Sequence, residues 1–112
     1  MKEENITDII IAGDYNQGIS ENAVSQFHAE IGVSDVHSKI NNVPITQLDK
    51  TYKNGSRAID SIAASSRIMS YIEGSKLVKY SEIVESDHRG YIIDVAMEEY
   101  FETEFSQWDS ID

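Results

Sequence analysis

The sequence predicts an α/β fold, and two patterns carry the prediction. An aliphatic run, Ile9 to Ala12, is bounded by Gly13-Asp14 and Asn16-Gln17-Gly18, and Tyr91 to Val95 forms a second apolar stretch late in the chain. Against these strand signals, Val24, Phe27 and Ile31, and again Met97, Tyr100, Phe101, Phe105 and Trp108, recur at helical spacing. Strands interleaved with one-sided helices give a mixed class in which helices cover sheet. The 112 residues make one domain at most, a size that buries well over half of the surface of the unfolded chain.

In chain order, Asp8 to Gly13 reads as a strand covered on both faces, because its apolar residues are continuous rather than alternating. Ser20 caps the helix that follows, Val24, Phe27 and Ile31 form its inner face, and Gly32 stops it. His28 falls at the boundary of that face and is expected to carry no chemistry. Val33 to Asn42 reads as a short strand or turn and then a helical turn, with His37 on the surface, and Asn41 to Leu48, containing the one proline (Pro44), as a loop. Thr51-Tyr52 opens a hairpin that turns at Asn54-Gly55 and returns along Arg57 to Ala64, with Ile59 and Ile62 inward. That hairpin is expected to bring Tyr52, Arg57 and Asp60 together. Ser65 to Tyr71 fits either a short helix or an edge segment, Lys76 to Tyr80 alternates as a strand does, and Tyr91 to Val95 ends the fold proper. The organisation is therefore a domain over residues 1–96 and an acidic amphipathic helix over residues 97–112.

Charge and composition narrow the function. Six of the net −11 charges lie in residues 97–112 (Glu98, Glu99, Glu102, Glu104, Asp109, Asp112), which hold no base, and −5 remains for residues 1–96. A chain with this balance has little Lys and Arg with which to neutralise a polyanion, so nucleic-acid binding by a general basic surface is disfavoured. The tail helix carries no cation for an anionic membrane surface, and the longest apolar run is too short to span a bilayer. With no cysteine there is no disulfide framework and no thiolate metal site. An intracellular protein, cytoplasmic or nuclear, is expected, with no membrane partner. Gly-rich phosphate loops, His-Glu-x-x-His helices and Gly-x-Ser-x-Gly turns are absent from the sequence.

Three polar signatures stand at the ends of apolar segments: Gly13-Asp14-Tyr15-Asn16, Arg57-Ala58-Ile59-Asp60, and Ser86-Asp87-His88-Arg89 before Tyr91-Ile92-Ile93. Strand ends hold side chains within a fraction of an ångström, which metal-assisted phosphate chemistry requires. In this order the three signatures resemble the C-terminal half of the endonuclease/exonuclease/phosphatase superfamily of metal-dependent phosphodiesterases, over roughly residues 8–96. Gly13-Asp14-Tyr15-Asn16 keeps the acid and the amide and exchanges one aromatic for another; Arg57 and Asp60 stand one residue further apart than in the commonest form; Ser86-Asp87-His88 matches outright.

The resemblance implies the C-terminal half of a two-sheet α/β sandwich and a Mg²⁺-dependent phosphodiester hydrolase acting on nucleic acid (an endonuclease) or another phosphate ester. It implies Asp14 as metal ligand and activator of water, Asn16 as donor to a phosphate oxygen, and His88 as donor to a non-bridging oxygen. Asp60 would fix the His88 tautomer, and Asp87 would be a second metal ligand. The superfamily's N-terminal half supplies the main metal-binding glutamate, and Glu3, Glu4 and Asn5 lack the strand context for that role. The expectation is a half-domain that cleaves only when the other half is supplied, and whose apolar strands are covered by a second protein chain, most simply a homodimer. The alternative is a non-catalytic binding or assembly module derived from the same fold.

Overall fold

The computed structural model describes residues 8–80 and 86–109, and side chains as far as residue 103. Its centre is the strand β3 (Asp60–Ser65), with the sequence Asp-Ser-Ile-Ala-Ala-Ser. Small side chains let neighbours close on it from several directions, and Ser61, Ala63, Ala64 and Ser65 are all buried. The strands β1 (Ile10–Asp14) and β2 (Val33–Asp35) pair antiparallel on its two sides, giving the order β1-β3-β2. A second, two-stranded antiparallel sheet joins β4 (Ile72–Leu77) to β5 (Tyr91–Val95). The chain is thus α/β with two small antiparallel sheets and several helices.

Between β1 and β2 runs the helix α1 (Asn22–Ile31). Its end is fixed by Gly32, whose φ of 76° lies in the left-handed region and whose N–H returns to the Ala29 and His28 carbonyls. The helix α2 (Val36–Asn41) begins directly after β2, because Asp35 serves both: its backbone closes the β2 ladder and its carboxylate accepts the Ser38 N–H at 2.8 Å. Val36, fully buried, anchors a core with Ala64, Ile68, Met69 and Ile72, against which Ile40, Ile62, Ile93, Val95 and Tyr100 pack. The short helix α3 (Ser66–Met69) turns the chain from β3 into β4 and contributes two of those residues. A smaller core of Ile19, Val24 and Ala58 lies beneath Tyr15, Ile45 and Leu48.

Several expectations are corrected. The strand β1 is an edge strand and is largely exposed, Ile10 at 45 %, because none of its side chains joins either core cluster. β5 is not covered on both faces either: it alternates, with Ile92 and Asp94 exposed. The inward residue on α1 beside Val24 is His28 rather than Phe27, which is 38 % exposed. Its N-cap is Glu21 rather than Ser20, and no side chain caps it. The Asn54-Gly55 pair adopts no positive φ and closes no hairpin; Gly55 N–H bonds back to the Tyr52 carbonyl, and Tyr52 pairs instead with His88. The fourth strand starts at Ile72 and ends at Leu77, earlier than the alternation of Lys76 to Tyr80 indicates. His37 is half-buried, not on the surface; its Nδ1 meets Ser75 Oγ at 2.7 Å and its ring lies 5.0 Å from that of Tyr91.

The tail forms the helix α4 (Met97–Asp109). Its first turn is held to the body by Tyr100, which packs on the main core, meets the Tyr71 ring edge-on at 5.3 Å and donates to Asp8 Oδ2 at 2.6 Å. Asp8 also accepts from Arg67 Nε at 2.8 Å, so the start of β1, α3 and α4 share one carboxylate. Met97 and Phe101 are exposed. The side chains of Phe105 and Trp108, and Glu3, Glu4 and Asn5, lie outside the described residues.

Candidate functional site

Register places the first two groups. In the β1-β3 ladder Ile10 stands opposite Ala64 and Ile11 opposite Ala63, so Asp14 at the far end stands opposite Asp60. Two carboxylates across a ladder repel each other unless a cation or a proton donor lies between them. His88 supplies the donor: its Nδ1 is 2.9 Å from Asp60 Oδ2 and its Nε2 is 3.8 Å from Asp14 Oδ2. Asp14, Asp60 and His88 form one group whose ligand atoms lie within 4.8 Å of one another.

The three members differ in access. The Asp14 side chain is 46 % exposed, His88 31 % and Asp60 17 %. Asp14 Oδ1 accepts the Asn16 backbone N–H at 2.8 Å, which draws Asn16 into a left-handed conformation (φ 57°) and leaves Oδ2 facing His88. The hydrogen bond to Asp60 raises the His88 pKa above the ordinary imidazole value, and the charges of Asp60, Asp14 and Asp87 add to this against a smaller opposing cost of burial. The imidazole is therefore held toward its charged form, with one nitrogen committed to Asp60 and the other on the exposed side with Asp14.

A third segment delivers His88. Lys53 N–H donates to the Asp87 carbonyl at 2.7 Å and Arg89 N–H to the Thr51 carbonyl at 2.7 Å, an antiparallel bridge centred on Tyr52 and His88. Tyr52 lies against the imidazole with ring centroids 4.9 Å apart. The Arg89 guanidinium reaches the Val78 carbonyl at 2.8 Å and joins this segment to the end of β4.

Of the residues singled out from the sequence, Asp14, Asp60 and His88 come together. Asn16 adjoins them through its backbone bond to Asp14. Asp87 is exposed and stands outside that group; its carbonyl is used by Lys53 and its charge reaches His88 at longer range. Arg57 is directed elsewhere. It pairs with Glu21, an exposed contact, rather than joining Tyr52 and Asp60, because β3 begins only at Asp60 and the residues before it cross toward the start of α1. Thr51 and the tilted packing of the Tyr52 ring on His88 were not legible as site features, since the bridge between residues 51–53 and 87–89 is a long-range pairing that no local pattern announces.

The other two histidines stand apart from this group. His28 is buried, with Nε2 3.0 Å from Tyr15 Oη, and burial pulls its pKa down against the Asp35 charge. Burial likewise lowers His37. Among the described residues no helix is long and apolar enough to cross a membrane. In comparisons with protein-family models, curated proteins and solved structures, no match to this chain is found.

Proposed function

We propose that Asp14, Asp60 and His88 form the phosphate-handling part of a Mg²⁺-dependent phosphodiesterase centre, on the C-terminal half of a two-sheet α/β sandwich. The observation that carries this reading is the imidazole held between two carboxylates. A proton donor braced by Asp60 at Nδ1, whose Nε2 stays beyond hydrogen-bond distance of Asp14, is suited to a non-bridging phosphate oxygen. In this reading the Asn16 amide donates to the same phosphate, and Asp14 orients the attacking water and accepts its proton.

The donor set fits a hydrated Mg²⁺. That ion takes oxygen ligands and is commonly held by one or two carboxylates together with water and the phosphate of a substrate. Asp14 offers an exposed carboxylate within the cluster, and Asp87, next to His88 in sequence but outside the cluster, offers another exposed one, whereas Asp60 is committed to the imidazole. Bound there, the ion would supply charge neutralisation on the phosphate and a more acidic water. Asp14 and Asp87 would hold it, and a full centre needs a further acidic ligand from another segment or chain. The reading therefore includes a second protein chain, either another copy or a completing half, an intracellular location, and a nucleic acid or other phosphate ester as substrate.

The test is Mn²⁺ binding, with Mn²⁺ standing in for Mg²⁺ and read by proton relaxation, alongside turnover of bis(p-nitrophenyl) phosphate. Binding is expected to weaken at least about tenfold in Asp14→Asn, with little or no turnover by the chain alone. Mn²⁺ binding undiminished in Asp14→Asn would overturn the reading. Turnover by the chain alone that Asp14→Asn abolishes would show that no further ligand is required.

A further inference from the structure

We propose that Thr51 is the positioning residue of this site: its buried hydroxyl oxygen and its carbonyl together set the spacing between Asp60 and His88. The inference rests on the reading of those two residues as a working pair, but its test does not depend on hydrolysis.

Thr51 is fully buried, an unusual place for a hydroxyl without a structural role. Its Oγ1 lies 2.9 Å from the Ile59 N–H and 3.1 Å from the Asp60 N–H, and accepts from both. These are the two residues at which the chain enters β3, where the adjoining Ile59 carbonyl accepts from Tyr15 N–H at 2.8 Å. The same residue's carbonyl accepts the Arg89 N–H at 2.7 Å, one residue past His88. A single residue therefore grips the backbone on both sides of the pair: at Asp60 through its side chain and beside His88 through its main chain. Tyr52, next in sequence, covers the imidazole face.

Loss of that acceptor has a defined consequence. Two backbone N–H groups at the base of β3 would lose their partner in a buried place, and each such loss favours rearrangement toward water or another acceptor. The backbone at Asp60 is then free to shift, while His88 stays tied through residues 87–89. A displacement of about 1 Å is enough to break a 2.9 Å contact as a hydrogen bond. The pair would separate while the two sheets stay intact.

The experiment is long-range ¹H–¹⁵N correlation of the imidazoles at about pH 8, where the Nδ1-bound proton of a histidine held by a carboxylate gives a downfield, slowly exchanging resonance. Wild type and Thr51→Ser, which keeps the acceptor, are expected to show that resonance for His88. Thr51→Val, which keeps the shape and removes the acceptor, is expected to lose it, as is Asp60→Ala, which removes the His88 partner altogether, with Ala63 and Val36 amide shifts unchanged in both. Retention of the resonance in Thr51→Val, or in Asp60→Ala, would overturn the proposal. Should Thr51→Val fail to fold, hydrogen exchange on the wild type decides alone: Ile59 and Asp60 amides protected at least about tenfold over exposed loop amides support the grip, and exchange at the exposed rate overturns it. An inert protein with the resonance intact would refute hydrolysis and leave the positioning role standing.

Discussion

Removing the Asp35 carboxylate should destabilise this fold more than any exposed acid. Asp35 is 5 % exposed, and both of its oxygens are engaged. Oδ2 caps α2 at the Ser38 N–H, and Oδ1 accepts from Ser61 Oγ, itself buried on the central strand. In Asp35→Ala the lost cap costs about 1 kcal/mol. The Ser61 hydroxyl, left without its acceptor in a buried position, costs a further ~1–3 kcal/mol. The sum, about 2–4 kcal/mol, is a large share of the ~5–15 kcal/mol by which domains of this size are stable. With a urea m-value near 1.5 kcal/mol/M, the midpoint should fall by roughly 1–3 M. Asp35→Asn keeps a carbonyl oxygen for the cap and offers Ser61 a donor to which its hydroxyl can turn, so its loss should be about half as large or less. Glu73→Ala, an exposed change on β4, should move the midpoint little. A midpoint in Asp35→Ala within the scatter of Glu73→Ala, or an Asp35→Asn loss exceeding that of Asp35→Ala, would refute the assignment of those two hydrogen bonds.

Tyr100→Phe should cost about 1 kcal/mol in urea denaturation, because it removes the hydroxyl bond to Asp8 while keeping the ring against Tyr71; no loss would mean that α4 is held by packing alone. By NMR titration His88 should titrate above the ordinary value near 6.5 and move down in Asp60→Asn, whereas His28 and His37 should titrate below it; the reverse order would refute the site geometry. The sign for stability follows. The His88 contribution is fully present below the unfolded pKa and is lost as pH rises through its folded pKa, while those of His28 and His37 are present above the unfolded pKa and lost as pH falls. Asp60→Asn should therefore reduce stability more on the acid side of neutrality than on the alkaline side. Gly32→Ala should cost about 1 kcal/mol from its positive φ alone, since a Cβ there meets nothing within 4 Å; a neutral result in thermal denaturation would place the α1 stop elsewhere.

What the sequence made legible follows distance along the chain. The Val33 to Asn42 segment could be read as a short strand or turn and then a helical turn because the change is local, and in the structure Asp35 is both the end of β2 and the cap of α2. Gly32 marked the end of α1 for an equally local reason, its freedom at positive φ. Tyr91 to Val95 was legible as a strand from its apolar run, but its exposure on alternate residues depends on its pairing with β4 alone among the described strands. The apolar run of β1 gave the strand and misled about its surroundings, since composition does not distinguish an edge from a centre. The centre is β3, marked by small residues whose value appears only once Val36 and the neighbouring strands close on them. Asp14, Asp60 and His88 were each visible as polar groups beside apolar segments. The grip of Thr51 on Asp60 and the contact of the Tyr52 ring with His88 were not, because both arise where irregular segments meet, the second across more than thirty positions.

The placement of Asp14 across from Asp60 makes the site a gauge of strand alignment. Side chains along β1 alternate between faces, so a slip of one residue would set Gly13 opposite Asp60 and turn the Asp14 carboxylate to the far side of the sheet. Burial would resist that slip only weakly, for along β1 Ile11 alone is partly buried and the other four residues are exposed. What opposes it is chiefly local: the Ile9 and Ser65 bonds at one end of the strand and the Asn16 and Tyr15 bonds at the other. An insertion or deletion of one residue between Asp8 and Gly13 would accordingly leave a folded molecule with an imidazole facing one carboxylate instead of two. Strand length, rather than the identity of any reactive group, is the variable on which this cluster's survival through sequence change most depends.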